Sequence, residues 1–264
     1  FLLMQLTLSH TLTFTLGAPG RAVQHLLLTP LTTAQQKVER WSIEMPGFAD
    51  AVTFRDAFGN KAHLVSLVKP DPDIIVKVTG VVETFDKAGV LGRLEFDPMP
   101  AMFRRPTPLT RPDSSLIEGI SFEGGRIAVL HELMDRVHQR GLSSDQSQMQ
   151  TQGAQSHSQS QGDGAAAGPD DFAHALIGAA RALDIPARHV TGYVLDEEGA
   201  RFHAWAEAWD DGLGWIGFDP MLNLCPADTH IRLASGLDAV STMPIRTVPV
   251  WSEMPAEVVE ITAA

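Results

Sequence analysis

Between residues 6 and 16 apolar positions alternate with threonine and serine: Leu6, Leu8, Leu12, Phe14 and Leu16, with His10 keeping the period. A period of two predicts a strand with one face in a core and one in water. Asp56-Ala57-Phe58-Gly59-Asn60 reads as a tight turn into a strand over residues 63–68. Residues 73–85, rich in Ile, Val and Thr, predict another strand. No helical period separates these segments, so residues 1–93 are expected to form an antiparallel β-sandwich. Residues 94–113 carry five prolines and little periodicity, and read as a linker.

The pattern then changes. Ile127, Leu130, Met134 and Val137 fall on one helical face, and Gly141 is expected to end that helix. Gln, Ser, Gly and Ala dominate residues 141–168, a composition that reads as a low-complexity surface loop. Residues 172–183 are rich in Ala and Leu and predict a helix, with Asp170 and Asp171 at its positive end and Asp184-Ile185-Pro186 stopping it. Strands are expected over residues 189–195, 202–209 and 215–218, separated by acidic glycine turns. Residues 114–264 are therefore expected to be an α+β core, helices packed on an antiparallel sheet.

Composition narrows the function. A chain of 264 residues with 44% hydrophobic content can bury a substantial core. A formal charge of −12 argues against nucleic acid and anionic membrane surfaces as partners. One cysteine, Cys225, leaves no internal disulfide and no cysteine zinc cage. The opening Phe1-Leu2-Leu3-Met4 has a trace of a signal h-region, but no basic residues precede it and threonines soon break the run. No stretch reaches the length of a membrane span. A cytoplasmic location and no cofactor are the expectations.

Several ordered segments carry a resemblance. They are Asp171-Phe172-Ala173-His174, Ala182 to Arg188, Thr191-Gly192-Tyr193, His203-Ala204-Trp205-Ala206-Glu207, Gly214 to Pro220, His230 to Leu233 and Pro244 to Arg246. Together they resemble the bacterial transglutaminase-like superfamily. In the first half His10-Thr11, Leu28-Thr29-Pro30, Gln36, Trp41, Asp56 and Gly59-Asn60 are similar to the β-rich domain preceding this core in many bacterial members. The resemblance implies a papain-like core in which a Cys at a helix start attacks an amide, a His deprotonates it, and an Asp orients the His. It places the base at His203 and the orienting carboxylate at Asp219. Members of this two-domain type are usually described, by assignment, as cysteine proteases.

The resemblance breaks at one point. The family reads Gly-x-Cys-x-Asp where this chain reads Ala167-Gly168-Pro169-Asp170-Asp171, so Pro169 takes the nucleophile's position. Proline has no nucleophilic side chain, yet it is well tolerated in a helix's first turn. The family's Thr- and Glu-containing stretch ahead of the Cys is also replaced by the Gln/Ser tract. The expected function is a catalytically inactive homologue that binds or scaffolds a peptide or protein, with Trp205 and Asp171 as candidate ligand-binding residues. The alternative is an active amide hydrolase or transamidase rewired around His203 and Asp219. It requires Asp170, Asp171 or Cys225 within reach of His203. Cys225 reads as a part-buried structural thiol, and His174 as a packed histidine. Ser156, Ser158 and Ser160 lie in the loop with no base fixed beside them. His131 and His138 share a helix face without a metal-site motif, so no metal ligands are assigned.

Overall fold

In the computed structural model, which describes residues 3–16, 19–152, 167–251 and 256–264, the alternation at the start of the chain becomes strand β1 (Leu3–Thr15). Leu6, Leu8, His10, Leu12 and Phe14 are buried, and the residues between them face outward. β2 (Arg21–Thr29), β3 (Gln36–Glu44), β4 (Val52–Arg55), β5 (Lys61–Val68) and β6 (Asp73–Phe85) follow, then a short β7 (Val90–Gly92). The helices are α1 (Ser114–Ile117), α2 (Gly125–Gln152) and α3 (Pro169–Ala182). Strands β8 (Ala187–Asp196), β9 (Gly199–Asp210), β10 (Gly214–Phe218) and β11 (His230–Gly236) come next, then α4 (Ala239–Thr242), β12 (Ile245–Val248) and β13 (Ala256–Ala263).

Three antiparallel sheets result. Two four-stranded sheets, β13-β1-β6-β3 and β12-β2-β5-β4, share one apolar core built from residues such as Leu6, Leu26, Val65 and Val76. The five-stranded sheet β11-β8-β9-β10-β7 carries α2 and α3, whose Leu130, Leu133, Phe172 and Leu176 pack with Ala206, Ala208 and Phe218. This is the α+β architecture expected. The sheets do not follow chain order, however. β7 joins the core sheet, while β12 and β13 return to pair with β2 and β1.

Gly141 does not end α2, which continues to Gln152 and takes in the start of the tract read as a loop. A Cβ on Gly141 would lie 2.1 Å from the Phe172 ring, so the glycine marks close helix approach and not a cap. Residues 153–166 of that tract, with Ser156, Ser158 and Ser160, lie outside the described residues. The proline-rich segment is built into the core. Phe103 is fully buried, and Arg181 on α3 donates to the Phe103 carbonyl and the Thr110 hydroxyl.

Two side-chain amides tie the sandwich to the core sheet. Gln36 donates to the Arg232 carbonyl at 2.9 Å and accepts from the Arg232 N–H at 2.8 Å. Asn60 makes the same double contact with Ser235, at 2.8 and 2.9 Å. Each mimics a neighbouring strand, satisfying both polar groups of a β11 residue. Among the described residues no helix is long and apolar enough to cross a membrane.

Candidate active site

The site forms where α3 begins beside β8 and β9. Gly168 precedes α3, Pro169 is its first residue, and Asp171 Oδ2 accepts from the Gly168 N–H at 2.9 Å. Proline costs nothing at a position whose N–H has no helical partner. Pro169 and Asp170 then face His203 on β9 across a cavity of about 280 Å³, with Thr191, Phe202, Val240 and Met243 among its walls.

His203 is fully buried, and its Nε2 lies 2.6 Å from Asp219 Oδ2. Asp219 sits just past β10, where its Oδ1 accepts from the N–H groups of Met221 and Leu222, each at 3.1 Å. His230 Nε2, from the start of β11, approaches the same Oδ2 at 3.3 Å. Burial pushes the Asp219 carboxyl up, but hydrogen bonds from His203 and His230 outweigh it and draw it down to about 2. The carboxylate is thus ionised at neutral pH and can only accept, which makes His203 Nε2 the donor. The His203 Nδ1 is buried and without a partner among the described residues. That nitrogen is the one a base would use.

The three groups could be taken for a metal site, since their ligand atoms lie within 4.8 Å of one another. The 2.6 Å contact between His203 and Asp219 is a hydrogen bond. Two ligands each about 2.0 Å from a tetrahedral ion stand roughly 3.3 Å apart. A proton suits this geometry better than an ion.

A second carboxylate–imidazole pair stands alongside. His189 on β8, fully buried, sets Nε2 3.0 Å from Asp170 Oδ1 and Nδ1 2.9 Å from the Thr242 hydroxyl. Burial works to raise the Asp170 carboxyl, but the His189 contact and the nearby imidazoles hold it below the ordinary range. Burial, and then the neighbouring His189, push His174 down to about 4. Neutral His174 accepts the Ala239 N–H at 3.0 Å.

Other candidates fall elsewhere. Trp205 is buried edge-on to His230, with ring centroids 5.5 Å apart, and does not line the cavity. Asp171 lines a neighbouring cavity of about 350 Å³ with His174 and Phe172. His131 packs edge-on to Phe218, and His138 donates to the Pro220 carbonyl at 3.0 Å. Cys225 sits against Gly89 and Pro226 packs beside Gly217, so that corner is filled. Burial, with Asp86 nearby, pushes the Cys225 thiol up. Alkylation of Cys225 by iodoacetamide at neutral pH is expected to run slower than that of a free thiol, because the thiolate is the nucleophile. Labelling as fast as free cysteine would contradict this placement.

Sequence reading missed three features. His189 and His230 were passed over because a lone histidine in an apolar strand carries no spacing signal. The third is a buried ion network beneath the site. Arg188 Nε meets Glu207 Oε2 at 2.6 Å, and Arg232 Nε meets Glu207 Oε1 at 2.7 Å. Arg188 Nη1 also reaches Asp97 Oδ1 at 2.9 Å, and its guanidinium lies over Trp215, 3.9 Å from the ring centre. Burial raises the Glu207 carboxyl, but the charges of Arg232 and Arg188 prevail and bring it to about 2. Charged residues inside otherwise apolar strands were the available signal.

Comparison with known proteins places these features. The Transglutaminase-like superfamily matches residues 129–220, and the Bacterial transglutaminase-like N-terminal region matches residues 6–83. An uncharacterized protein of Mycobacterium leprae (strain TN) is 30% identical over 86 residues, a match spanning 30% of this chain and 30% of that protein. A crystal structure from Cytophaga hutchinsonii, provisionally assigned as a cysteine protease, superposes with a TM-score of 0.67 at 20% identity. It covers 100% of this chain and 91% of that one, and shows a shared fold. The chain therefore belongs to the transglutaminase-like superfamily, joining a bacterial transglutaminase-like N-terminal region to a transglutaminase-like core.

Proposed function

We propose that this protein is a non-catalytic transglutaminase-like homologue whose site holds a peptide or protein ligand without cleaving it. The observation that carries the reading is Pro169, which starts α3 and lines one cavity with His203; the resemblance gives this position to the family's Cys. Thiol acyl transfer needs a sulfur that loses its proton to the imidazole and attacks a carbonyl. Pro169 offers neither proton nor lone pair.

What remains is a preorganised recess. His203 Nδ1 can accept a hydrogen bond from a ligand amide, and Asp170 presents an ionised carboxylate at the rim. Phe202, Val240 and Met243 give apolar contact. Such a mix of apolar wall and few polar groups suits a ligand end or side chain.

The rewired hydrolase needs a nucleophile against His203. Asp170 contacts His189, Asp171 holds the Gly168 N–H, and Cys225 packs against Gly89. None of the three forms a hydrogen bond with His203 among the described residues. Incubation with casein and a fluorescent primary amine, and separately with a mixed peptide library, is expected to show no incorporation or cleavage above buffer. Turnover that disappears in His203→Ala would overturn the reading.

A further inference from the structure

The edge of the sandwich next to this recess has an unused hydrogen-bonding side. β12 pairs only with β2 among the described residues. The Leu27 N–H donates to the Pro244 carbonyl at 2.8 Å, and the ladder runs Ile245 opposite Leu26, Arg246 opposite His25. In an antiparallel ladder the bonded pairs alternate. Arg246 and Val248 therefore turn their N–H and C=O toward β2, and Ile245 and Thr247 turn theirs away.

That outward side borders a cavity of about 720 Å³ opening between the two sandwich sheets. Its walls include Leu12, Ile245, Val250, Trp251 and Glu257. Met243 and Pro244 line both this cavity and the one at His203, so the two adjoin at these residues. Val248 and Val250, in the wall of the larger one, are 70% and 75% exposed, and Arg246 and Glu257 are the charges beside them.

We infer that an extended peptide adds as a strand to β12, seating an apolar side chain between the sheets and its amino end in the His203–Asp170 recess. Outward N–H and C=O groups at alternate residues call for a peptide backbone. The apolar cleft beside them takes every second side chain. Asp170 puts a carboxylate at the far end, which favours an ammonium over a carboxylate there. With its amino end at that recess the peptide runs parallel to β12. Pro244 and Pro249 bracket the edge and keep the added strand short. This rests on the reading of the protein as a peptide-binding homologue, and extends it to a second surface.

The test uses the full chain and a short alternating Val/Thr peptide with a free amino end and a fluorescein at its carboxyl end, followed by anisotropy. Saturable binding is expected. N-methylation of the alternate amides that face β12 should weaken it by about tenfold, the net worth of one or two hydrogen bonds. Methylation of the other set should leave it intact. Val250→Asp, at an exposed residue of the cleft, should also weaken binding, and acetylation of the amino end should do the same. Absence of binding, equal loss from both methylation sets, or a stable dimer that the peptide does not displace would overturn the inference. Edge-dependent binding together with His203-dependent turnover would sink the non-catalytic reading and leave strand addition standing. Edge-independent binding without turnover would do the reverse.

Discussion

Glu207→Ala is expected to remove about 3–5 kcal/mol of stability, the usual cost of stripping one partner from a buried ion network. Glu207 is 3% exposed in its side chain, and its two oxygens take three contacts from Arg188 and Arg232, at 2.6, 2.7 and 3.2 Å. Without the carboxylate, Arg188 keeps the Asp97 contact and Arg232 keeps no ion pair among the described residues. Arg188 Nη2 lacks a partner among the described residues even in the intact network, and Asp97 Oδ2 is the unpaired buried acceptor left on the carboxylate beside it. The sign with pH follows from the lowered carboxyl. Glu207 titrates near 2 when folded against 4.5 ordinarily, so its stabilisation is complete above 4.5 and fades as pH falls toward 2. Asp219 adds a loss over a similar window, from 3.8 to about 2. Urea unfolding at a series of pH values checks both statements. A Glu207→Ala midpoint equal to the parent's would show that the network contributes nothing.

Pro169→Cys is expected to create a thiolate at neutral pH. The new side chain would stand at the first position of α3, on the cavity that His203 also lines, with His203 Nε2 fixed on Asp219 and its Nδ1 without a partner among the described residues. A helix start and an imidazolium together bring a thiol into the range of about 3.5–7.5. Asp170, ionised next door, opposes this, so Pro169→Cys combined with Asp170→Asn should titrate lower still. Ultraviolet thiolate absorbance against pH measures the shift. Rapid alkylation of the new cysteine beside slow Cys225 supplies an internal control within one chain. Adding His203→Ala should return the thiol to its ordinary range. A folded Pro169→Cys protein with no thiolate at neutral pH would mean that the imidazole does not face α3 as described.

The parts of the fold visible in the sequence were those with a local period. β1 alternates apolar and polar positions, β6 is rich in Ile, Val and Thr, and the Asp56–Asn60 turn has the right chemistry for its geometry, with Gly59 at φ 84°. His203 and Asp219 were legible through their motifs, and they do form a hydrogen-bonded pair. Long-range pairing was not legible. Nothing local in residues 245–263 says that they belong with β1 and β2, because strand partners are chosen by the whole core. Gly141 misled for a related reason: glycine ends helices when its backbone must turn, and permits contact when a ring must approach, and sequence does not separate these roles. His189, His230 and the Arg188–Glu207–Arg232 network depend on neighbours from three strands, which no single window contains.

The return of β12 and β13 to the first two strands has a consequence for synthesis. A ribosome releases the amino-terminal half long before residues 245–263 emerge, so the nascent sandwich must wait with two edges open. The middle of the chain has every strand of its own sheet earlier, once β11 has appeared. Assembly in the cell should therefore proceed from the inside outward, with the first strands made among the last to be sealed.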